Sequence, residues 1–285
     1  MAVRLKDGVR IEVVEDIRVS LVDSGLTESD RKEIRFWSAS PAEGPGSDLF
    51  DNLLVKAPEL KMFERLLPRL DIRPGMRCLE VGAGQAWTSA MLKRAVPGAV
   101  IHASELSVAA LRSAAKWEAL LGQRLNGKWA CSSRDLPFAS GQFDRVFTYE
   151  AFHHFGVSGD FEPALREMLR VLRPGGRLVL LREPSAPGFL RDWQFRRLNR
   201  HRKVVGGADV DEDAIVPSWL AEVARGLGAR LEVAYETEWA FLDVGLVGVL
   251  GKAIVRAIPA LGRVVPCAVS LTIEKSAAPA GRAVG

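Results

Sequence analysis

From residue 74 to residue 183 the chain alternates two kinds of segment. Short runs that are apolar on both faces are separated by stretches whose apolar residues return at helical spacing. The runs Arg77 to Val81, Val100 to Glu105, Lys128 to Ser132, Arg145 to Glu150 and Arg177 to Arg182 read as strands buried on both sides, as in a parallel sheet. Trp87 to Ala95, Ser107 to Leu121 and Phe161 to Leu172 read as the helices that cross between them. Pro97-Gly98, Leu121-Gly122 and Pro174-Gly175-Gly176 mark where helices stop. This rhythm predicts an α/β fold.

The flanks are less regular. Residues 1–70 start with alternating positions around Asp7-Gly8, which predicts a hairpin. They continue through Arg31 to Trp37, a Pro/Gly loop from Pro41 to Gly46 and an amphipathic segment from Leu49 to Leu67. After residue 183 come a basic segment, Arg191 to Lys203, an acidic patch, Asp209 to Asp213, a helix, Ser218 to Leu227, and a strand, Leu231 to Trp239. An apolar insertion interrupted by glycines, Phe241 to Gly262, and a final strand, Cys267 to Glu274, close the chain. Three regions follow: 1–70 as an N-terminal hairpin and helical lid, 71–183 as the core, and 184–285 as insertions plus the last strands.

Composition narrows the class. The 285 residues carry 39 Lys plus Arg against 35 Asp plus Glu, a net +4 too small to argue for nucleic acid, and no nucleic-acid module accompanies it. The small total is a cancellation between the basic segment at 191–203 and the acidic one at 209–213. Cys78, Cys131 and Cys267 lie far apart with no CxxC pair, which gives no zinc motif, predicts no metal, and suits a reducing compartment. The first 16 residues place charges where a secretion signal needs an unbroken apolar stretch, and Asp243, Lys252, Arg256 and Arg263 interrupt the most apolar region. The expected location is cytoplasmic. Basic and aromatic residues at 190–203 beside the insertion at 241–262 could rest on the inner face of a membrane.

Candidate chemistry sits where the first core strand turns into a helix, Cys78-Leu79-Glu80-Val81-Gly82-Ala83-Gly84. Glycines there let the backbone approach a ligand, and a following helix offers free N–H groups. A dinucleotide fingerprint would need a third glycine at position 87, which is Trp87. Glu80 stands two residues before the first glycine, a poor neighbour for a pyrophosphate and a good one for a cation. A bare turn without ligand would leave this acid buried and unpartnered. Glu105 ends the next strand 21 residues beyond Gly84, where a carboxylate can accept hydrogen bonds from a ribose diol. After the third strand, Asp135 could accept from a purine amino group, with Leu136 and Phe138 offering apolar contact.

These landmarks, together with Arg134 to Phe138, Phe143-Asp144, Tyr149 to Phe155 and Leu169 to Gly176, make the chain resemble the class I S-adenosylmethionine-dependent methyltransferases. The order and spacing are similar to the small-molecule branch that includes ubiquinone-biosynthesis methyltransferases, over about 110 residues. The resemblance implies a Rossmann-like seven-stranded, mostly parallel sheet with the last strand antiparallel. It also implies S-adenosyl-L-methionine as cofactor and transfer to a small acceptor. Glu80, Gly82, Ala83, Gly84, Gln85, Glu105, Leu106, Arg134, Asp135, Leu136 and Glu150 are the cofactor-side candidates. Gln85-Ala86 departs from relatives that carry another glycine after Gly84. His153 and His154 are candidates for a general base, although similar relatives carry histidine here mainly within a loop that closes over the cofactor.

The acceptor is read from the flanks as a small molecule, a glycan or a lipid-linked compound, by analogy alone. Two alternatives stay open. A non-catalytic cofactor-binding partner could use the apolar insertion as a homodimer interface, and an aminopropyltransferase could share the fold.

Overall fold

The computed structural model describes residues 3–20, 25–40, 44, 46–156, 160–201, 204–205, 208–209, 212–236, 253–254 and 257–276. Most of the predicted insertion at 241–262, most of the loop at 41–46 and part of the acidic patch at 209–213 lie outside these residues.

The chain opens with a short hairpin, β1 (Glu12–Val14) and β2 (Ile17–Val19), and two helices, α1 (Glu28–Ala39) and α2 (Leu49–Leu70). The core follows as β3 (Arg77–Val81), α3 (Trp87–Ala95), β4 (Val100–Glu105), α4 (Val108–Arg112), α5 (Ala114–Leu121), β5 (Gly127–Ala130), β6 (Phe143–Tyr149), α6 (Glu162–Val171) and β7 (Leu172–Ser185). Then come α7 (Arg191–Leu198), a two-strand ribbon of β8 (Val204–Val205) and β9 (Ala208–Asp209), α8 (Pro217–Gly226), β10 (Ala229–Glu236) and β11 (Cys267–Lys275).

Among the described residues, the main sheet has nine strands in the order β1-β2-β5-β4-β3-β6-β7-β11-β10. Neighbours from β2 to β7 pair in parallel, and β11 runs antiparallel to both β7 and β10. The seven expected strands are present with the last one antiparallel, but the count of seven is corrected to nine because the N-terminal hairpin extends the β5 edge. That hairpin is also displaced from its expected place. Its ladder pairs Glu12 with Val19 and turns at Glu15-Asp16, with Glu15 at φ 59, whereas Asp7-Gly8 makes a turn without a ladder. The predicted helix from Ser107 to Leu121 is broken at Ser113, a fully buried residue between α4 and α5.

Burial explains the strand pattern. β3 lies at the centre between β4 and β6 and is buried beyond its first residue, so both faces of the strand are enclosed. On one side α2 delivers Phe63, Leu66 and Leu70 onto Cys78, Trp87, Ile101 and Phe147. On the other, α6 packs Leu165, Met168 and Leu169 with Phe143, Val146 and Leu178. The strand order reverses between β3 and β6, the kind of switch point where open α/β sheets hold ligands outside the carboxyl ends of the strands. Among the described residues, no helix is long and apolar enough to cross a membrane.

Candidate functional site

A cavity of about 820 Å³ lies at that switch point. Its floor is Val81 and Gly82 after β3, Glu105 and Leu106 at the end of β4, and Cys131 to Arg134 after β5. Its walls come from the loop after β6 and from one face each of α1 and α7. Seven carboxylates line it against three arginines, a balance that favours a cationic occupant.

The glycine loop has the conformation its residues predict. Gly82 has φ +71 and Gly84 φ +51. A Cβ on Gly82 would sit 2.7 Å from the Phe155 ring and 2.8 Å from the Ala151 Cβ, and one on Gly84 would sit 3.1 Å from the Trp37 indole. Trp37 of α1 donates its indole N–H to Glu33 Oε1 at 3.0 Å, and both residues line the cavity. A capping box starts this helix: Asp30 and Thr27 exchange hydrogen bonds, and Asp30 also pairs with Arg134. That pair ties α1 to the loop after β5.

Glu105 is held by three backbone donors. Its Oε2 accepts from Gly84 N–H at 2.9 Å, and its Oε1 accepts from Leu106 at 2.7 Å and Ser107 at 3.1 Å. Burial pushes its carboxyl up to about 7, helped by the negative charge of Glu33 and opposed by the three amides. Glu80, expected to face the cofactor, is off the cavity lining and has partners of its own within the protein. Its two oxygens accept from the hydroxyls of Thr88 and Ser89 in the first turn of α3, beneath the glycine loop. Burial raises it to about 7 as well, against the lowering effect of those hydrogen bonds.

Gly82, Glu105, Leu106, Arg134 and Glu150 are thus brought together on the cavity, as are His153 and His154. Glu80, Ala83, Gly84, Gln85, Asp135 and Leu136 are not on its lining. Gln85 is buried and accepts from the Trp117 indole N–H at 3.2 Å. Asp135 is exposed and paired with Lys6. Leu136 is fully buried, and its N–H donates to Glu167 Oε2 at 2.9 Å. Turn geometry after β5 therefore aims Arg134, not Asp135, at the cavity.

The far wall is the loop after β6. Glu150, at φ +47, pairs with Arg182 Nη1 at 2.8 Å; burial raises it to about 7 although Arg182 opposes this. His153 places Nδ1 2.7 Å from Glu183 Oε2 and Nε2 2.9 Å from Glu212 Oε2. Burial alone would depress this imidazole, but the hydrogen bonds to the two carboxylates prevail and hold it up at about 10. His154, with its ring centroid 4.0 Å away, is pushed down by burial and by the charge on His153. Behind this wall a second cavity of about 360 Å³ is lined by Glu150, His153 and His154 with Arg182, Leu198, Glu212 and Cys267.

Several of these residues escape sequence reasoning. Glu33 and Trp37 sit on a helix whose contacts are set by the fold, and Glu212 lies 59 residues beyond His153. The capping box at Thr27 is the one local signal for α1.

Residues 79–180 match the family model for a methyltransferase domain. The methyltransferase GfsG of Streptomyces halstedii is 36% identical over 124 residues, which are 42% of this chain and 42% of that protein. A demethylmenaquinone methyltransferase of Thermus thermophilus is 32% identical over 143 residues, 50% of this chain and 63% of that one. The matches therefore span less than two thirds of either relative's length. A crystal structure of geranyl diphosphate C-methyltransferase from Streptomyces coelicolor A3(2) aligns over 87% of this chain and 98% of that one, with TM-score 0.62 and 15% identity, a likeness of fold alone. The switch-point cavity, the glycine loop and the strand order thus coincide with residues 79–180, the stretch that matches a methyltransferase domain, and the fold is one shared with a solved methyltransferase.

Proposed function

We propose that this chain transfers a methyl group from S-adenosylmethionine to a small-molecule acceptor. The observation that carries the reading is the Gly82 to Gly84 loop joined to Glu105 on the floor of an acid-rich cavity. When bound, the cofactor supplies a methyl group already activated on a cationic sulfur. Gly82 leaves the floor without a side chain, and Glu105 offers the remaining lone pair on Oε2 to a ribose hydroxyl. Glu33 and Trp37 cover the loop from the α1 side, and the surplus of carboxylates suits the donor's positive charge.

Glu150, His153 and His154 line both cavities, and the acceptor would enter between them from the second to meet the methyl group directly. Aligning two reactants where the cavities meet can supply on the order of 7 to 11 kcal/mol without a dedicated base. The name of one relative, a demethylmenaquinone methyltransferase, supports an acceptor of the quinone kind. The decisive experiment incubates the full chain with methyl-labelled cofactor and a short-chain demethylmenaquinol. Label in the organic product supports the reading, and label confined to the cofactor in a panel that includes this compound rejects the quinone acceptor.

A lipid-linked acceptor has one observation in its favour. Phe189, Trp193 and Trp219 are 76%, 44% and 52% exposed near the arginines of α7, a combination suited to an anionic membrane surface.

A further inference from the structure

We propose that His153, His154 and Glu212 form a binding site for one divalent transition-metal ion of the Zn²⁺, Fe²⁺ or Mn²⁺ kind. A short 3-10 turn, Phe152–His154, sets the two imidazoles side by side after β6. Nothing in this site depends on the cofactor reading, although its use would.

The anchoring is that of a ligand set. Glu183 on β7 accepts backbone N–H groups from Ala151 at 3.2 Å, Phe152 at 3.0 Å and His153 at 3.2 Å, and the Thr148 hydroxyl at 3.0 Å. So fixed, it takes the Nδ1 side of His153 at 2.7 Å and turns Nε2 toward Glu212, where an ion would take the place of the proton between them. A carboxylate behind an imidazole in this way selects the tautomer and orientation that ligate a metal. Glu212 is fixed in turn by Asn199, which accepts its N–H at 2.9 Å and donates to its carbonyl at 2.7 Å. Its Oε2 lies 2.9 Å from His153 Nε2 and 3.9 Å from His154 Nε2. His154 Nδ1 is buried and has no hydrogen-bond partner among the described residues.

One ligand atom from each of the three residues falls within 4.8 Å of the others. Ligands held at about 2.1 Å from an ion stand about 3 to 4 Å apart, so a movement on the order of 1 Å completes the set. Two imidazoles and one carboxylate suit a borderline ion, whereas Mg²⁺ and Ca²⁺ favour all-oxygen sites. All three residues line the second cavity, and the histidines line the first as well, so the ion's remaining positions face both. If the second cavity holds the acceptor, an acceptor hydroxyl on that ion would release its proton more readily.

The test is calorimetric titration of the tag-free, chelator-stripped full chain with Zn²⁺ and, separately, Co²⁺. One ion per chain is expected, with His154→Ala and Glu212→Ala each weakening binding at least tenfold and Glu183→Gln weakening it about 10- to 100-fold through the imidazole behind it. Because a variant could fail to fold, a second measurement uses the wild-type chain: Zn²⁺ should protect His154 from modification by diethyl pyrocarbonate, read by mass spectrometry. Absence of stoichiometric binding, unchanged affinity in folded variants, or no protection of His154 would overturn the site and leave a plain hydrogen-bonded cluster. S-adenosylhomocysteine titrated into the same samples reports separately on the donor cavity.

Discussion

Gly84 donates its backbone N–H to Glu105 Oε2 across 2.9 Å, so the loop that forms the cavity floor is fastened to the acid that closes it. The bond joins the ends of two adjacent parallel strands and makes loop shape and carboxylate position a single property.

The charge state of Glu105 should therefore be visible in donor binding. Burial, with Glu33 of α1 as a neighbouring acid, sets its carboxyl at about 7. A ribose diol donates to the ionised form, so affinity for S-adenosylhomocysteine should rise between pH 6 and pH 8. Glu105→Gln should flatten that profile. An equally steep profile in the variant would assign the titration to another group.

Glu80 gives a prediction of opposite character, in stability. Its folded value of about 7 lies above the ordinary 4.5, so as pH rises the unfolded chain gives up this proton first. The wild type should lose stability between pH 4.5 and pH 7 and stay at the lower level above that. Glu80→Gln imitates the protonated form and should be the more stable protein at pH 8, by up to about 3 kcal/mol, with no advantage at pH 4.5. Thermal melts at the two pH values decide it.

Gly82 is constrained both by its φ of +71 and by the ring of Phe155. Gly82→Ala should cost about 1 to 3 kcal/mol of stability and also weaken donor binding. Phe155→Ala in the same chain removes the ring clash but leaves the Ala151 contact and the backbone strain, so it should restore only part of the loss. Full restoration would show that crowding alone restricts this position.

The exposed aromatics near α7 predict sedimentation of the protein with anionic liposomes at low salt. Arg196→Glu with Trp193→Ser should abolish it. Failure of the wild type to sediment would remove the lipid-surface reading and leave the methyltransferase reading intact.

The core was readable because its strands are buried on both faces and its helices on one. Arg77–Val81, Val100–Glu105 and Trp87–Ala95 have the bounds their patterns predict. The N-terminal hairpin was misplaced because Asp7-Gly8 carries the stronger turn signal, while the actual turn uses Glu15 in a left-handed conformation that side chains seldom adopt. Glu105 and Gly82 could be found from spacing along adjacent strands. Glu80 could not be separated from them, because its partners Thr88 and Ser89 look like ordinary helix residues. Asp135 and Arg134 are neighbours, and which of them faces the cavity depends on a turn that no periodicity records. Glu33, Trp37 and Glu212 arrive by tertiary packing from segments with no motif of their own.

The most direct measurement is a calorimetric titration of the full chain and of Glu105→Ala with S-adenosylhomocysteine at pH 8. One-to-one binding by the wild type, weakened at least tenfold in the variant, is the predicted result. No binding by the wild type, or equal binding by both, would contradict the assignment of this cavity to the methyl donor.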